Sequence, residues 1–234
     1  MTSPATPSAE VTQTLEPVLA PPRFFFGVSL AAALFFAIWT VLVRGLQVLD
    51  PIDQDCASYF RAWSAEHPGM WKAMVFFTDI GGVAAMTLLL ILGALWQNAL
   101  KNRHLVSAWL LIVLGGGMLN MTTKNFFYRA RPDENLRDRA VLERNYSYPS
   151  GHAMGSAVGY GLLAYTLVLP QPCRGRRIAT MILLASLVLA VGFSRIYLRA
   201  HWFSDVIAGW SIGLAWLFLC LGWLERRRLG KAPP

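Results

Sequence analysis

The stretch FFFGVSLAAALFFAIWTVLV, residues 24–43, contains no charged side chain. Its length matches the roughly 20 apolar residues that a helix needs to cross the hydrocarbon layer of a membrane. A helix that packs on the core of a soluble protein carries charges on its water-facing side. The stretch therefore predicts a transmembrane helix near the start of the sequence.

Five further apolar runs follow and, with the first, predict six transmembrane spans. They cover residues 74–96, 105–123, 153–171, 178–193 and 203–223. The six runs contain two carboxylates, Asp79 and Asp205, and no lysine or arginine. We predict an all-α integral membrane bundle of six transmembrane helices over residues 23–225. A flexible tail, residues 1–22, precedes this bundle, and a basic tail, residues 226–234, follows it.

The composition supports a membrane protein and argues against three other classes. Hydrophobic residues make up 55% of the chain and charged residues 15%, with a mean hydropathy of +0.44. A soluble domain carries about 25% charged residues, so the chain fits neither a soluble nor a disordered protein. The net charge of +8 could indicate nucleic-acid binding. However, the basic residues lie in short clusters between apolar runs and not on one polar face, so we predict no nucleic-acid partner.

An even number of spans places both ends of the chain on the same side of the membrane. The basic residues divide almost equally between the two sides, so the positive-inside rule alone does not choose an orientation. Most of those opposite the termini lie in two loops that also hold the polar motifs described next. If chemistry holds them there, the remaining basic residues favour cytoplasmic termini.

Three polar motifs interrupt the apolar background. The first, KNFFYRARP at residues 124–132, closes span three. The second, PSGH at residues 149–152, opens span four, and the third, SRIYLRAHWFSD at residues 194–205, joins spans five and six. Counting the crossings places all three at the same face of the membrane. We therefore predict that they converge on one site.

The residue types in these motifs predict a site for an oxyanion. Lys124, Arg131 and Arg195 supply cationic donors, and guanidinium groups match the geometry of phosphate oxygens. Ser150 and Gly151 fall at a predicted helix N-terminus, where free backbone N–H groups and the helix dipole favour an anion. The predicted ligand is a phosphoryl group or a similar oxyanion.

Two histidines and an aspartate complete a predicted phosphatase site. His201 and Asp205 are four residues apart and share one face of a helix. The carboxylate would fix the imidazole tautomer and leave the other ring nitrogen free to attack phosphorus. His152 would protonate the leaving oxygen. Because the cations supply the charge stabilisation, we predict a phosphohistidine mechanism without a metal or cofactor.

The three motifs resemble the signature of the type 2 phosphatidic acid phosphatase superfamily: Lys-x6-Arg-Pro, Pro-Ser-Gly-His and Ser-Arg-x5-His-x3-Asp. The resemblance implies an integral membrane lipid-phosphate phosphatase with its site at the outer face. It implies that His201 is the nucleophile, Asp205 its partner and His152 the general acid. The phosphate-binding residues that it implies are Lys124, Arg131, Ser150, Gly151 and Arg195.

The three motifs fit more than one substrate and more than one function. The candidate substrates are undecaprenyl diphosphate, slightly favoured, phosphatidylglycerol phosphate, phosphatidic acid and lipid A. A phosphotransferase on the same site, a binding protein without catalysis and a vanadate-dependent haloperoxidase are the alternatives. The compact layout favours the inner membrane of a bacterial cell.

The sequence also leaves some positions with two interpretations. Arg129 and Arg199 would contact either a second phosphate or lipid headgroups. Asp79 would cap the start of a helix or line the substrate entrance. Residues 53–66 are mildly amphipathic and predict either a helix along the membrane surface or an ordinary loop.

Overall fold

The computed structural model describes residues 20–132 and 146–229, and this part of the chain is helical without β-strands. The predicted all-α fold is therefore confirmed. The helices are α1 (Pro22–Thr40), continued by a π-helical turn (Val41–Gly45), α2 (Asp50–Glu66), α3 (Pro68–Ile80), α4 (Val83–Ala99), α5 (Arg103–Phe127), α6 (Gly151–Val168), α7 (Arg174–Tyr197) and α8 (Phe203–Leu229).

Both predicted tails extend outside the described residues. Residues 1–19 and 230–234 are not described, and α8 continues as far as Leu229. The last described basic residues, Arg226, Arg227 and Arg228, therefore belong to the final turn of this helix.

Four helices among the described residues are long and apolar enough to cross a membrane. They are α1 with its π-helical turn, α5, α7 and α8. The pair α3 and α4 passes the same test of length and composition together, but the two helices are bent by 46°. Counting that pair as one span gives five, so the chain is a multi-pass membrane protein while the predicted count of six is not confirmed.

The helix α6 is not one of the spans that meet this test, and none of its residues is exposed. It packs against α4, α5, α7 and α8. Two glycines of α8 allow its backbone to approach the backbone at the start of α6. A Cβ at Gly209 would lie 2.5 Å from the Ser150 carbonyl oxygen, and one at Gly213 would lie 3.0 Å from that of Met154. Small residues at such a crossing bring helix backbones together, and here they hold the start of α6 against the start of α8.

The predicted span over residues 74–96 is interrupted at Gly81 and Gly82. A Cβ at Gly81 would lie 2.2 Å from Val191 of α7, so only glycine fits at this break. Asp79 lies in the last turn of α3, whereas the N-cap residue of α4 is Gly82. The prediction that Asp79 caps the start of a helix is therefore wrong.

The amphipathic segment that was predicted as a helix or a loop is a helix, α2. Its aromatic face packs on α7, with the rings of Phe60 and Trp63 centred 6.0 and 5.5 Å from the ring of Tyr197. Asp53, on the same helix, points into the protein and is 1% exposed. The helix therefore forms part of the wall at the end of the bundle where α8 begins.

Candidate active site

The three polar motifs meet at one end of the bundle, where α5 and α7 end and α6 and α8 begin. The Ser150 N–H donates to the carbonyl oxygen of Asp205 at 3.0 Å. Arg131 Nη1 lies 3.3 Å from His201 Nε2, and the Ser147 N–H donates to the Arg129 carbonyl at 2.8 Å. These contacts join all three motifs, so the predicted convergence is confirmed.

His201 and Asp205 form a buried pair at the start of α8. His201 Nδ1 lies 3.4 Å from Asp205 Oδ2, and the two side chains are fully enclosed. The same carboxylate oxygen accepts the Trp202 N–H at 3.0 Å, which holds the carboxylate in place. A carboxylate next to Nδ1 favours the tautomer with its proton on that nitrogen. The lone pair then resides on Nε2, the nitrogen that faces Arg131.

The three predicted phosphate-binding cations are oriented by uncharged oxygens. Lys124 Nζ donates to the Tyr146 carbonyl at 2.9 Å, and Arg131 Nη1 donates to the Ala200 carbonyl at 2.5 Å. Arg195 Nη1 donates to a hydroxyl, Thr78 Oγ1, at the end of α3. These hydrogen bonds help to fix the direction of three cations at the same end of the bundle, an arrangement that suits an anionic ligand.

The start of α6 provides a capped helix N-terminus beside these cations. Ser150 is the N-cap residue, and its hydroxyl accepts the Ala153 N–H at 3.4 Å. A Cβ at Gly151 would lie 2.9 Å from Asn120 Oδ1 and 3.7 Å from Lys124 Cε. Glycine thus allows the start of α6 to approach the end of α5.

His152 occupies the first turn of α6, next to the break between α3 and α4. Its Nε2 lies 3.5 Å from the position that a Cβ on Gly82 would take. The side chain is half-buried, unlike that of His201, which is enclosed. The two histidines therefore start from the N-terminal ends of adjacent helices and differ in their access to the surroundings.

Tyr148 anchors the segment that leads into α6. Its hydroxyl bonds to Thr40 Oγ1 of α1 at 2.7 Å, and its ring packs edge-on against Phe127 with centroids 5.3 Å apart. Burial is the main reason that the pKa of Tyr148 rises to about 12. The phenol therefore stays neutral at physiological pH and serves as a structural link between α1, α5 and the PSGH motif.

Arg129 has a role that its position in the sequence did not reveal. Its side chain is 8% exposed, and its two terminal nitrogens lie 2.7 Å from carboxylate oxygens of Asp53 and Asp205. A third carboxylate, Asp50, is 3.4 Å away. Burial lowers the pKa of Arg129, but Asp205 and Asp53 outweigh this and raise it. The predicted contact with a second phosphate or with headgroups is wrong, because the guanidinium is occupied by carboxylates.

Asp53 is a residue of the site that sequence reasoning missed. Its partners Arg129 and Ser204 are distant in sequence, and the acids of α2 look like one solvated face. Arg199 is half-buried and lies in the link to α8, with a left-handed backbone (φ 54°).

Within residues 20–132 and 146–229, no group of three or more His, Cys, Asp or Glu side chains is arranged to hold a metal ion.

Known proteins are similar to this chain in sequence and in fold. A match to the PAP2 superfamily covers residues 105–229. Phosphatidylglycerophosphatase B of Bacillus subtilis (strain 168) is 31% identical over 169 residues, which are 68% of this chain and 77% of the relative. An undecaprenyl-diphosphatase of Sulfolobus acidocaldarius is 35% identical over 104 residues, 43% of this chain and 45% of the relative.

A solved structure extends the similarity to the fold. The crystal structure of a transmembrane PAP2 type phosphatidylglycerolphosphate phosphatase from Bacillus subtilis matches with a TM-score of 0.71 and 28% identity. The match covers 85% of this chain and 96% of that one. Fold and site together define a membrane phosphatase. The chain belongs to the PAP2 superfamily, as the resemblance implied.

Proposed function

We propose that this protein hydrolyses a lipid phosphate through a covalent phosphohistidine on His201, without a metal ion. The observation that carries the proposal is the buried pair of His201 and Asp205. The Nε2 atom of His201 lies 3.3 Å from Arg131 Nη1. A nucleophile, its orienting carboxylate and a cation for the phosphate oxygens occur there in one place. This combination is what in-line attack on a phosphoryl group needs.

In the first step, the lone pair of His201 Nε2 forms a bond to phosphorus. The bond between phosphorus and the lipid oxygen breaks, and His152 gives its proton to that oxygen. Asp205 stabilises the positive charge that develops on the imidazole of His201. Lys124, Arg131 and Arg195, with the N–H groups at the start of α6, stabilise the oxygens of the transferring phosphoryl group.

In the second step, water cleaves the phosphohistidine. His152, now neutral, takes a proton from the water as its oxygen bonds to phosphorus. The bond between phosphorus and Nε2 breaks, inorganic phosphate leaves, and both histidines regain their starting protonation states. A phosphotransferase would follow the same course with an alcohol in place of this water.

Phosphatidylglycerol phosphate is the substrate that the relatives support best. The phosphatidylglycerophosphatase B of Bacillus subtilis matches over 77% of its own length, and the similar solved phosphatase over 96%. The preference for undecaprenyl diphosphate depended on Arg129 and Arg199 as ligands of a second phosphate. Arg129 is engaged by Asp53 and Asp205. Undecaprenyl diphosphate remains the second candidate, supported by the Sulfolobus relative at 35% identity.

We further propose that both termini are cytoplasmic and that the site opens at the outer face of a cell membrane. The end of the bundle opposite the site is where α5 and α7 begin and α8 ends, and it is rich in basic residues. They are Lys101, Arg103, Arg174, Arg176, Arg177, Arg226, Arg227 and Arg228. Basic residues favour the cytoplasmic side, whereas Lys124, Arg129, Arg131 and Arg195 at the other end belong to the proposed site.

Phosphate release from purified protein in detergent tests this function. The substrates are phosphatidylglycerol phosphate, phosphatidic acid and undecaprenyl diphosphate, each assayed with and without a chelator. We expect turnover of phosphatidylglycerol phosphate that EDTA leaves unchanged, and an acid-labile, alkali-stable phosphoprotein after rapid quenching. Activity that EDTA abolishes and added metal restores would contradict the metal-free mechanism. A lack of phosphate release from all three lipids would contradict the function itself.

A further inference from the structure

A chain of buried charges links α2 to the pair formed by His201 and Asp205. It begins at Asp53, whose Oδ1 accepts the Ser204 N–H at 2.9 Å and whose Oδ2 accepts Arg129 Nη2 at 2.7 Å. The Ser204 hydroxyl also donates to this carboxylate. Asp53 therefore binds the residue immediately before Asp205, at the N-terminus of the helix that carries it.

Arg129 continues the chain from Asp53 to Asp205. Its Nη1 donates to Asp205 Oδ1 and to Ser204 Oγ, both at 2.7 Å, while Nη2 faces Asp53. The planar guanidinium thus bridges two buried carboxylates with separate nitrogens. The ring of Trp202 covers it, with Arg129 Cζ 5.4 Å from the ring centroid. One of the two bridged carboxylates is the partner of His201.

We propose that Arg129 and Asp53 are positioning residues that fix Asp205 and set the basicity of His201. This inference rests on the proposed function, in which neutral His201 attacks phosphorus. The positive charge of Arg129 disfavours a positive charge on His201. The negative charge of Asp53 offsets this effect. Because these groups are enclosed, their interactions are screened less than those of surface charges.

The proposal predicts opposite shifts for the two substitutions. Asp53→Asn removes a negative charge and lowers the pKa of His201, so activity persists to lower pH. Arg129→Gln removes a positive charge and raises that pKa, so activity is lost at higher pH. Each substitution leaves the other ionisable groups of this end in place: Asp50 on α2, Lys124 on α5, Arg131 after it, His152 on α6, Arg195 on α7 and Arg199 after it.

A purely structural role would not produce this pattern. If Asp53 only fastened α2 to α8, its loss would lower the yield of folded protein or its melting temperature. The folded fraction would then keep the pH profile of the parent protein. The direction of the pH shift therefore separates the two roles, whatever the loss of stability.

The experiment measures kcat and KM from pH 4 to pH 9 for purified variants in detergent, with the parent protein's preferred lipid phosphate. The variants are Asp53→Asn, Arg129→Gln and Arg129→Lys. Asp55→Asn is the matched control, because Asp55 lies on the same helix and is exposed. Titration of the lipid phosphate itself is common to all variants and cancels in the comparison.

We expect Asp53→Asn to move the acid limb of kcat/KM to lower pH by roughly half to one pH unit. Arg129→Gln should move it to higher pH by about the same amount. Both should lower kcat by about tenfold or more with a smaller effect on KM. Arg129→Lys should restore the parent acid limb in part, because it keeps the charge. Asp55→Asn should match the parent protein.

Acid limbs that coincide in Asp53→Asn and the parent protein, or that shift in the same direction in Asp53→Asn and Arg129→Gln, would overturn the inference. If Arg129→Gln does not fold, the shift in Asp53→Asn decides. His201→Ala in the same series tests the proposed function separately from the proposed role of Arg129 and Asp53. A fully active His201→Ala variant contradicts the proposed function, whereas an inactive one with unshifted Asp53→Asn contradicts only the role of Arg129 and Asp53.

Discussion

The two ends of α8 each carry a fully buried carboxylate, Asp205 and Glu225, in very different surroundings. Asp205 is held by His201, Arg129 and a backbone N–H, and through Arg129 it is connected to α2. Glu225 Oε1 accepts bonds from the Tyr165 hydroxyl and from Arg228 of its own helix. In the described part of the chain, Glu225 Oε2 has no hydrogen-bond partner.

This difference distinguishes the candidate active site at the Asp205 end from a packing contact at the Glu225 end. At the Asp205 end, residues from α2, α5, α6, α7 and α8 contribute to one polar network. At the Glu225 end, the network joins α6 to α8 next to the apolar cluster around Trp109 and Leu162. A buried carboxylate alone therefore does not mark the candidate active site; a histidine beside it and several cations around it do.

The largest effect should come from His201→Ala at the Asp205 end. Loss of the proposed nucleophile should reduce kcat by at least about 10³-fold, because in the proposed mechanism His201 forms the covalent intermediate. Phosphate release and trapping of the phosphoprotein measure it. His104→Ala, at the exposed start of α5, is the matched control and should retain parent activity. Trapped phosphoprotein in His201→Ala would place the nucleophile elsewhere.

His152→Ala should give a smaller loss that depends on the leaving group. Lipid phosphates leave as poor alkoxides, so their turnover should fall by about 10² to 10⁴-fold without a general acid. A nitrophenyl phosphate leaves readily without protonation and should lose far less activity. Comparing kcat for the two substrates measures the effect. Equal losses on both would show that His152 does not protonate the leaving oxygen.

The sequence predicts features that depend on the spacing of residues along a helix and on the order of the spans. His201 and Asp205 share a helix face, and the order of the spans brings them to Ser150 and Arg131. The bridge from Asp53 to Arg129 could not be predicted, because it joins residues 76 positions apart. No periodic pattern distinguishes Asp53 from the exposed acids of its helix.

The span count of six is not confirmed by length and composition, for a related reason. Hydropathy averages over a run and does not register the break at Gly81, where a side chain would collide with Val191. Nor does it show that α6 packs against four other helices. Both features depend on tertiary packing, which a linear pattern does not contain.

Labelling of Cys173 can determine which end of the bundle faces which side of the membrane. This exposed cysteine precedes α7 at the end opposite the site, and the backbone N–H groups of Arg176 and Gly175 lower the pKa of its thiol. The larger thiolate fraction should speed reaction with a membrane-impermeant maleimide. With Cys56 and Cys220 replaced by serine, we expect labelling in inside-out vesicles and none in intact cells. Labelling in intact cells would reverse the proposed orientation.

The smallest effect on catalysis should come from the Glu225 end. Tyr165→Phe removes a donor from the buried carboxylate and should lower the free energy of unfolding by about 1 to 3 kcal/mol. Phosphate release at a permissive temperature should stay within about twofold of the parent protein, because the site lies at the other end of α8. Melting temperature and kcat measured on the same preparation test both statements.

The double variant Tyr165→Phe/Glu225→Gln sharpens the comparison between the two ends. An amide without the tyrosine donor is less costly to bury than a carboxylate without it, so the double variant should be more stable than Tyr165→Phe alone. The corresponding change at the other end, Asp205→Asn, should instead abolish most of the activity, since an amide cannot stabilise the charge on His201. If Tyr165→Phe lowers kcat as strongly as Asp205→Asn, the Glu225 end is coupled to catalysis and the two carboxylates are not functionally distinct.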